Sequence, residues 1–109
     1  MLSPEEISKK MIHEMEKRLG SRLRKVILIG SMARRDNTPE SDYDCIAVVG
    51  EVTPEILDII DDISGEMLYA YNSVFSIIPI SETRYHDEKF NPLLINAGRE
   101  GVVIWPAAV

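Results

Sequence analysis

Four short apolar runs, each the length of a strand, limit this chain more than any other feature. Val26-Ile27-Leu28-Ile29 is continuous and rich in β-branched residues, as a strand covered on both faces would be. Tyr43 to Val49 is a second such run, closed by Gly50. Val74 to Ile78 is a third, expected to stop near Pro79, and Val102-Val103-Ile104-Trp105 is the last. Between them the period changes to that of a helix. Ser3, Pro4 and Glu6 form a helix start, with an N-cap hydroxyl, proline at the first turn and the glutamate of a capping box. Ile7, Met11, Met15 and Leu19 then recur every four residues, and Gly20 supplies a stop. Thr53-Pro54 opens another helix with Ile56, Ile59, Ile60, Ile63 and Met67 on its buried side. Ser81 to Lys89 is polar and carries a short helical turn. Asn91-Pro92 caps a helix through Leu93, Leu94 and Ile95 that Gly98 should end. The order predicts an α/β fold: a single mixed sheet of about four strands with helices packed against it. At 109 residues the chain reads as one domain spanning residues 1–109.

Charge and cysteine content narrow the function classes. Twelve Lys and Arg face eighteen Asp and Glu, a formal charge of −6. So acidic a domain is ill suited to tracking a phosphate backbone, which argues against a stand-alone nucleic-acid binder. Cys45 is the single cysteine, so no intrachain disulfide can form. The acidic N-terminus has no apolar signal-peptide core, and no run approaches the ~20 residues of a spanning helix. A cytoplasmic location is expected.

One constellation carries chemistry. Gly30-Ser31 ends the first strand where Met32-Ala33-Arg34-Arg35 can turn into a helix, and after ten intervening residues, counted from Ser31, comes Asp42-Tyr43-Asp44. Free backbone N–H groups, a hydroxyl and a glycine that permits close approach suit a phosphate. Asp42 and Asp44 stand two apart at the head of a strand, so their side chains share one face, about 7 Å apart. Two carboxylates so placed repel unless a cation lies between them. Magnesium, which takes one or two carboxylates plus substrate phosphates, fits that pattern. A phosphate cradle beside a carboxylate pair points to metal-assisted phosphoryl or nucleotidyl transfer.

Gly30-Ser31-Met32-Ala33-Arg34 with Ser41-Asp42-Tyr43-Asp44 resembles the signature of the polymerase-β nucleotidyltransferase superfamily, and the length matches its minimal branch. Four fixed residues at this spacing arise by chance in roughly one chain of this size in a thousand. The resemblance extends to the N-terminal helix, the Asn91-Pro92-Leu93-Leu94 helix and the closing Glu100-Gly101-Val102-Val103 segment. It implies that Gly30 and Ser31 hold the β- and γ-phosphates of a nucleoside triphosphate, by preference ATP. It places Asp42 and Asp44 on two Mg2+ ions, one escorting the triphosphate and one activating an acceptor hydroxyl. Arg34 either adds charge near the phosphates or anchors the loop through a carboxylate. The resemblance also implies a small helical partner of the HEPN type in a toxin–antitoxin-like pair, with a protein tyrosine as a plausible acceptor. So small a chain needs that partner, or a homodimer, to complete its cleft.

Two departures from the family pattern stand out. Arg35 replaces a glycine, so the loop is expected to take a different path, since a side chain at positive φ costs free energy. Members of the family commonly carry a third aspartate on the third strand, yet Met67 through Ser81 contains no Asp or Glu, and the strand offers only Ser73 and Ser76, with Asn72 before it. The rival to an enzyme is therefore a weak or inactive module retained for nucleotide or partner binding. The remaining signals have plain readings. His13 is a solvated helix residue, Tyr85-His86-Asp87-Glu88 lacks a second histidine for a metal, and Cys45 is a small core residue. Asp58, Asp61, Asp62 and Glu66 form a solvated face or a surface for a basic partner. Trp105 belongs to the core or to a subunit contact.

Overall fold

The computed structural model describes residues 2–35, 38, 42–88 and 91–106, without the side chain of Asn96. The segment between Arg35 and Asp42, except Thr38, lies outside the described residues, as does Lys89.

Helix α1 runs Pro4–Leu19, with both hydrogen bonds of the capping box formed between Ser3 and Glu6. Its stripe ends as core: Met11 and Met15 are fully buried and Leu19 nearly so. Burying side chains of that size contributes about 1.5–3 kcal/mol each. A single 3-10 turn, Gly20–Arg22, leads into β1, Leu23–Ile29. Helix α2 is short, Gly30–Arg34, and strand β2 is Tyr43–Val49. Helix α3 covers Pro54–Tyr71, with the Thr53 hydroxyl accepting from the Ile56 N–H. Strand β3, Phe75–Ser81, is followed by α4, Glu82–Asp87, then α5, Pro92–Glu100, and β4, Val102–Trp105.

The four strands make one mixed sheet in the order β3-β2-β1-β4. β1 pairs antiparallel with both β2 and β4, whereas β2 and β3 run parallel across the α3 crossover. Alternation along β2 sorts its residues to two cores. Tyr43, Cys45, Ala47 and Val49 join Met11, Met15, Ile56, Ile60, Ile63 and Met67 beneath α1 and α3. Ile46 and Val48 join Ile27, Ile80, Leu94 and Ala97 on the α5 side. The sheet therefore lies between two helical layers.

β1 begins at Leu23, ahead of its apolar run, and α2 already at Gly30; two further boundaries also differ from expectation. β3 continues through Pro79 to Ser81 because it is an edge strand, where a residue without an N–H need not break a ladder. α5 continues through Gly98, because that glycine keeps helical backbone and the N–H of Gly101 still donates to the Ala97 carbonyl at 2.9 Å. A left-handed turn is what makes glycine a stop signal, and Gly98 does not adopt one.

Candidate active site

The carboxyl end of β1 and the heads of β2 and β3 meet at one edge of the sheet. There Ile29 on β1, Asp44 on β2 and Ser76 on β3 stand in register across three strands. Asp42 precedes β2 by one residue and is exposed; Asp44 is half-buried. Continuing the alternation of β2 outward from Val48 and Ile46, both aspartates project on the α5 side, with Tyr43 between them facing α1 and α3. Tyr43 is held from behind. Its ring stacks on Phe75 at 4.4 Å between centroids, and its N–H donates to the Val74 carbonyl at 2.9 Å. The carboxylates thus sit on a backbone that the core grips at the intervening residue.

Gly30 brings the loop to this pair. Its φ is +74°, and a Cβ built there would lie 2.7 Å from Oδ2 of Asp44. The glycine serves both as a left-handed turn and as a clearance for the carboxylate. Ser31 follows in the first turn of α2. All four residues that the sequence marks for phosphate and metal, Gly30, Ser31, Asp42 and Asp44, therefore lie about one corner of the sheet.

Arg34 is directed partly elsewhere. Its Nη1 pairs with Oε2 of Glu100 at 3.2 Å, linking α2 to the end of α5, with both side chains exposed. The loop-anchoring role of this arginine is present in the structure. Arg35 stands at the end of the same helix. It closes α2 as a left-handed cap at φ 61° and ψ 27°, with its N–H donating to the Ser31 carbonyl. An arginine here carries the left-handed conformation that glycine would adopt freely, and the loop beyond it, Thr38 apart, lies outside the described residues. Left-handed backbone costs an ordinary residue about 1–2 kcal/mol.

The electrostatics follow from this placement. Partial burial raises the Asp44 pKa above the ordinary carboxylate range, and the neighbouring charge of Asp42 raises it further. A cation between them would remove both penalties, and an all-oxygen donor set suits a hard ion such as Mg2+. Among the described residues no group of three or more His, Cys, Asp or Glu could hold a metal. Asp42 and Asp44 are thus the acidic ligation that the described residues bring to this corner. Cys45 beside it is fully buried and its thiol is pushed up to about 12, chiefly by burial.

The other flagged residues keep structural roles. His13 is exposed, and His86 stacks edge-on to Tyr85. Asp58, Asp61 and Asp62 are exposed, whereas Glu66 pairs with Arg18 of α1 at 2.6 Å. Trp105 packs on the larger core, and its indole N–H donates to Glu16. A cavity of about 610 Å³ opens between α1, α2 and β4, walled by Ile12, Leu28, Met32, Ile104 and Trp105. It lies behind the sheet, and Gly30, Ser31, Asp42 and Asp44 take no part in it. The cavity was not legible in the sequence, since its walls come from four separate segments.

The nucleotidyltransferase domain model matches residues 8–95. The chain is also 31% identical over 101 residues to the "Putative protein adenylyltransferase MJ0604" of Methanocaldococcus jannaschii, covering 90% of this chain and 97% of that one. The chain belongs to the nucleotidyltransferase domain family. Solved structures agree on the fold. A toxin–antitoxin crystal structure with AMP-PNP superposes with a TM-score of 0.62 at 13% identity, covering 89% of this chain and 72% of that one. A chain from the complex of a tri-AMPylated Shewanella oneidensis HEPN toxin with its MNT antitoxin gives a TM-score of 0.60 at 14% identity, covering 91% and 69%. No helix among the described residues is long and apolar enough to cross a membrane.

Proposed function

We propose that this nucleotidyltransferase-family chain is a magnesium-dependent enzyme that moves a nucleoside monophosphate from a nucleoside triphosphate, by preference ATP, to an acceptor hydroxyl. The observation that carries this reading is the approach of the Gly30 turn to Asp44, with Asp42 on the same face of β2. The Gly30-Ser31 backbone and the Ser31 hydroxyl bind the β- and γ-phosphates, while Asp42 and Asp44 hold up to two Mg2+ ions. Metal held there would supply neutralisation of phosphate charge and a lower pKa for the acceptor hydroxyl. The acceptor oxygen forms a bond to the α-phosphorus as the bond to the β-phosphate oxygen breaks. Pyrophosphate leaves, and the acceptor's proton passes to water at the open mouth of the site. Asp42 and Asp44, fixed through Tyr43, would set where a bound cation sits and so how the α-phosphate is presented for in-line attack.

The acceptor proposed is a tyrosine hydroxyl on a small helical partner of the HEPN type, in a toxin–antitoxin-like pair. The AMPylated HEPN toxin seen with an antitoxin of the same fold supports this. The partner, or a second copy of the chain, completes a cleft that one domain leaves open. A long nucleic acid is disfavoured as acceptor by the formal charge of −6.

A second reading keeps the fold for nucleotide or partner binding without turnover. Ser76, rather than an acid, beside Asp44 favours it. The deciding experiment incubates the chain with labelled ATP and Mg2+, with and without a candidate partner protein, against the Asp42→Asn/Asp44→Asn double variant. Label transfer that the double variant abolishes is expected. ATP binding without transfer in every combination would leave the binding module standing, and metal-dependent ATP binding by the double variant would remove Asp42 and Asp44 from the site.

A further inference from the structure

The four tyrosines of the chain are placed very differently. Tyr43 is 4% exposed and stacked on Phe75. Tyr71 packs against the main core, and Tyr85 is half-buried on the α5 side with the Lys25 ammonium 5.3 Å from its ring centroid. Tyr69, on the outer face of α3, is 96% exposed and makes no hydrogen bond, ion pair or ring contact with a described residue. Leu68 and Ala70 beside it are exposed as well, so no wall screens the phenol. A ring left so fully in water adds nothing to the core. Only residues 72–74 separate the end of α3 from β3, whose second residue, Ser76, pairs with Asp44. Tyr69 is therefore near the site's edge of the sheet. Yet α3 covers the face opposite to Asp42 and Asp44, and the sheet stands between Tyr69 and the carboxylates of its own chain.

We infer that Tyr69 is itself an acceptor: the site of one copy transfers a nucleoside monophosphate to the Tyr69 hydroxyl of a second copy. The inference rests on the nucleotidyl-transfer reading and adds to it an acceptor on this chain. β3 carries no acid that could take an acceptor's proton at the site, so the acceptor must release that proton readily. A phenol does so far more readily than the alcohols of serine or threonine. The acceptor helix also brings acids of its own, because Asp61 and Asp62 border, with Tyr69, a shallow recess over Gly65. In the transfer, Oη of Tyr69 forms a bond to the α-phosphorus as the bond from that phosphorus to the β-phosphate oxygen breaks. Pyrophosphate leaves, and the phenolic proton passes to those carboxylates or to water. Both copies carry a formal charge of −6, so the encounter is brief and the reaction second order in chain.

The test uses the full chain with Mg2+ and ATP labelled at the α-phosphate, and no other protein. Label is expected on the chain itself, located at Tyr69 by peptide mass spectrometry. It should be at least about tenfold weaker in Tyr69→Phe, which removes only the attacking oxygen. Circular dichroism of that variant should match wild type, since the ring lies outside the core. Transfer between copies is read by mixing a size-tagged Asp42→Asn/Asp44→Asn chain, which keeps Tyr69, with Tyr69→Phe, which keeps the site. Label should appear on the tagged chain, and the wild-type rate per chain should rise in proportion to concentration. A rate per chain independent of concentration, with the tagged chain unlabelled, would overturn transfer between copies. Label as strong in Tyr69→Phe as in wild type would place the acceptor elsewhere and overturn the inference. An unlabelled chain that still labels a candidate partner protein would overturn this inference and leave the nucleotidyl-transfer reading intact. No label on any protein, partner included, would overturn both.

Discussion

Replacing Gly30 with alanine separates backbone strain from loss of the site. The new methyl group would fall 2.7 Å from Oδ2 of Asp44, whereas ordinary contact begins near 3.4 Å, so the carboxylate must retreat by about 0.7 Å. The fold can absorb that, because the obstructing atom ends a short side chain. The remaining cost is alanine at φ +74°, about 1–2 kcal/mol. For a domain of this size that lowers Tm by about 5–12 °C. The functional cost is larger, since misplacing a positioned group by an ångström can cost about 100-fold. Nucleotide affinity in the presence of Mn2+ is expected to fall at least tenfold by isothermal titration calorimetry. Gly20→Ala is the matched control. Gly20 also has positive φ, at 57°, but a Cβ there meets nothing within 4 Å, and it lies at the far end of β1 from the site. It should lose about 1–3 kcal/mol of stability yet bind nucleotide as wild type does. Gly30→Ala that is destabilised but binds within twofold of wild type would refute the role given to the Gly30–Asp44 approach. So would Gly20→Ala losing nucleotide to the same extent.

Arg35→Gly relieves a left-handed arginine and should raise stability by about 0.5–1 kcal/mol by chemical denaturation, after the greater freedom of glycine in the unfolded chain is set against it. Glu100→Gln removes one exposed pairing of Arg34. Stability should change by less than about 1 kcal/mol, while nucleotide affinity rises a few-fold if the guanidinium then turns to phosphate. Asp42→Asn should lower the Asp44 pKa, read by carbon-13 NMR titration of its carboxyl, and an unmoved midpoint would count against the pair. The folded chain retains the Asp44 proton above the ordinary carboxylate range, so stability falls as pH rises from that range through the raised value, and Asp42→Asn narrows the window. Cys45, buried and pushed up to about 12, should resist thiol reagents at pH 8 until the chain unfolds.

What the sequence made legible was whatever depends on neighbours in the chain. The Ser3–Glu6 capping box, the bounds of β2 and the helical stripe through Met11 and Met15 are local patterns, and each is present as read. The placement of Asp42 and Asp44 on one face follows from the same local reasoning, a period of two continued from β2. The misreadings arose where tertiary position overrules a residue's local habit. Pro79 passes because β3 is an edge, Gly98 stays helical because nothing turns the chain there, and Arg35 accepts left-handed backbone. Contacts between distant segments were invisible. The Arg34–Glu100 pair joins residues 66 apart, and Ser76 becomes a neighbour of Asp44 only once the parallel register is known.

The interleaving of Asp42 and Asp44 with Tyr43 gives β2 something like a reading frame. From Asp42 to Val49, alternate residues serve chemistry or the α5 core on one side and the main core on the other. Deleting one residue within that stretch would drive a carboxylate under α1 and turn the ring that stacks on Phe75 out to solvent. Homologous chains can therefore change length before Asp42 or after Val49, but between them the count is fixed by the fold and the site together.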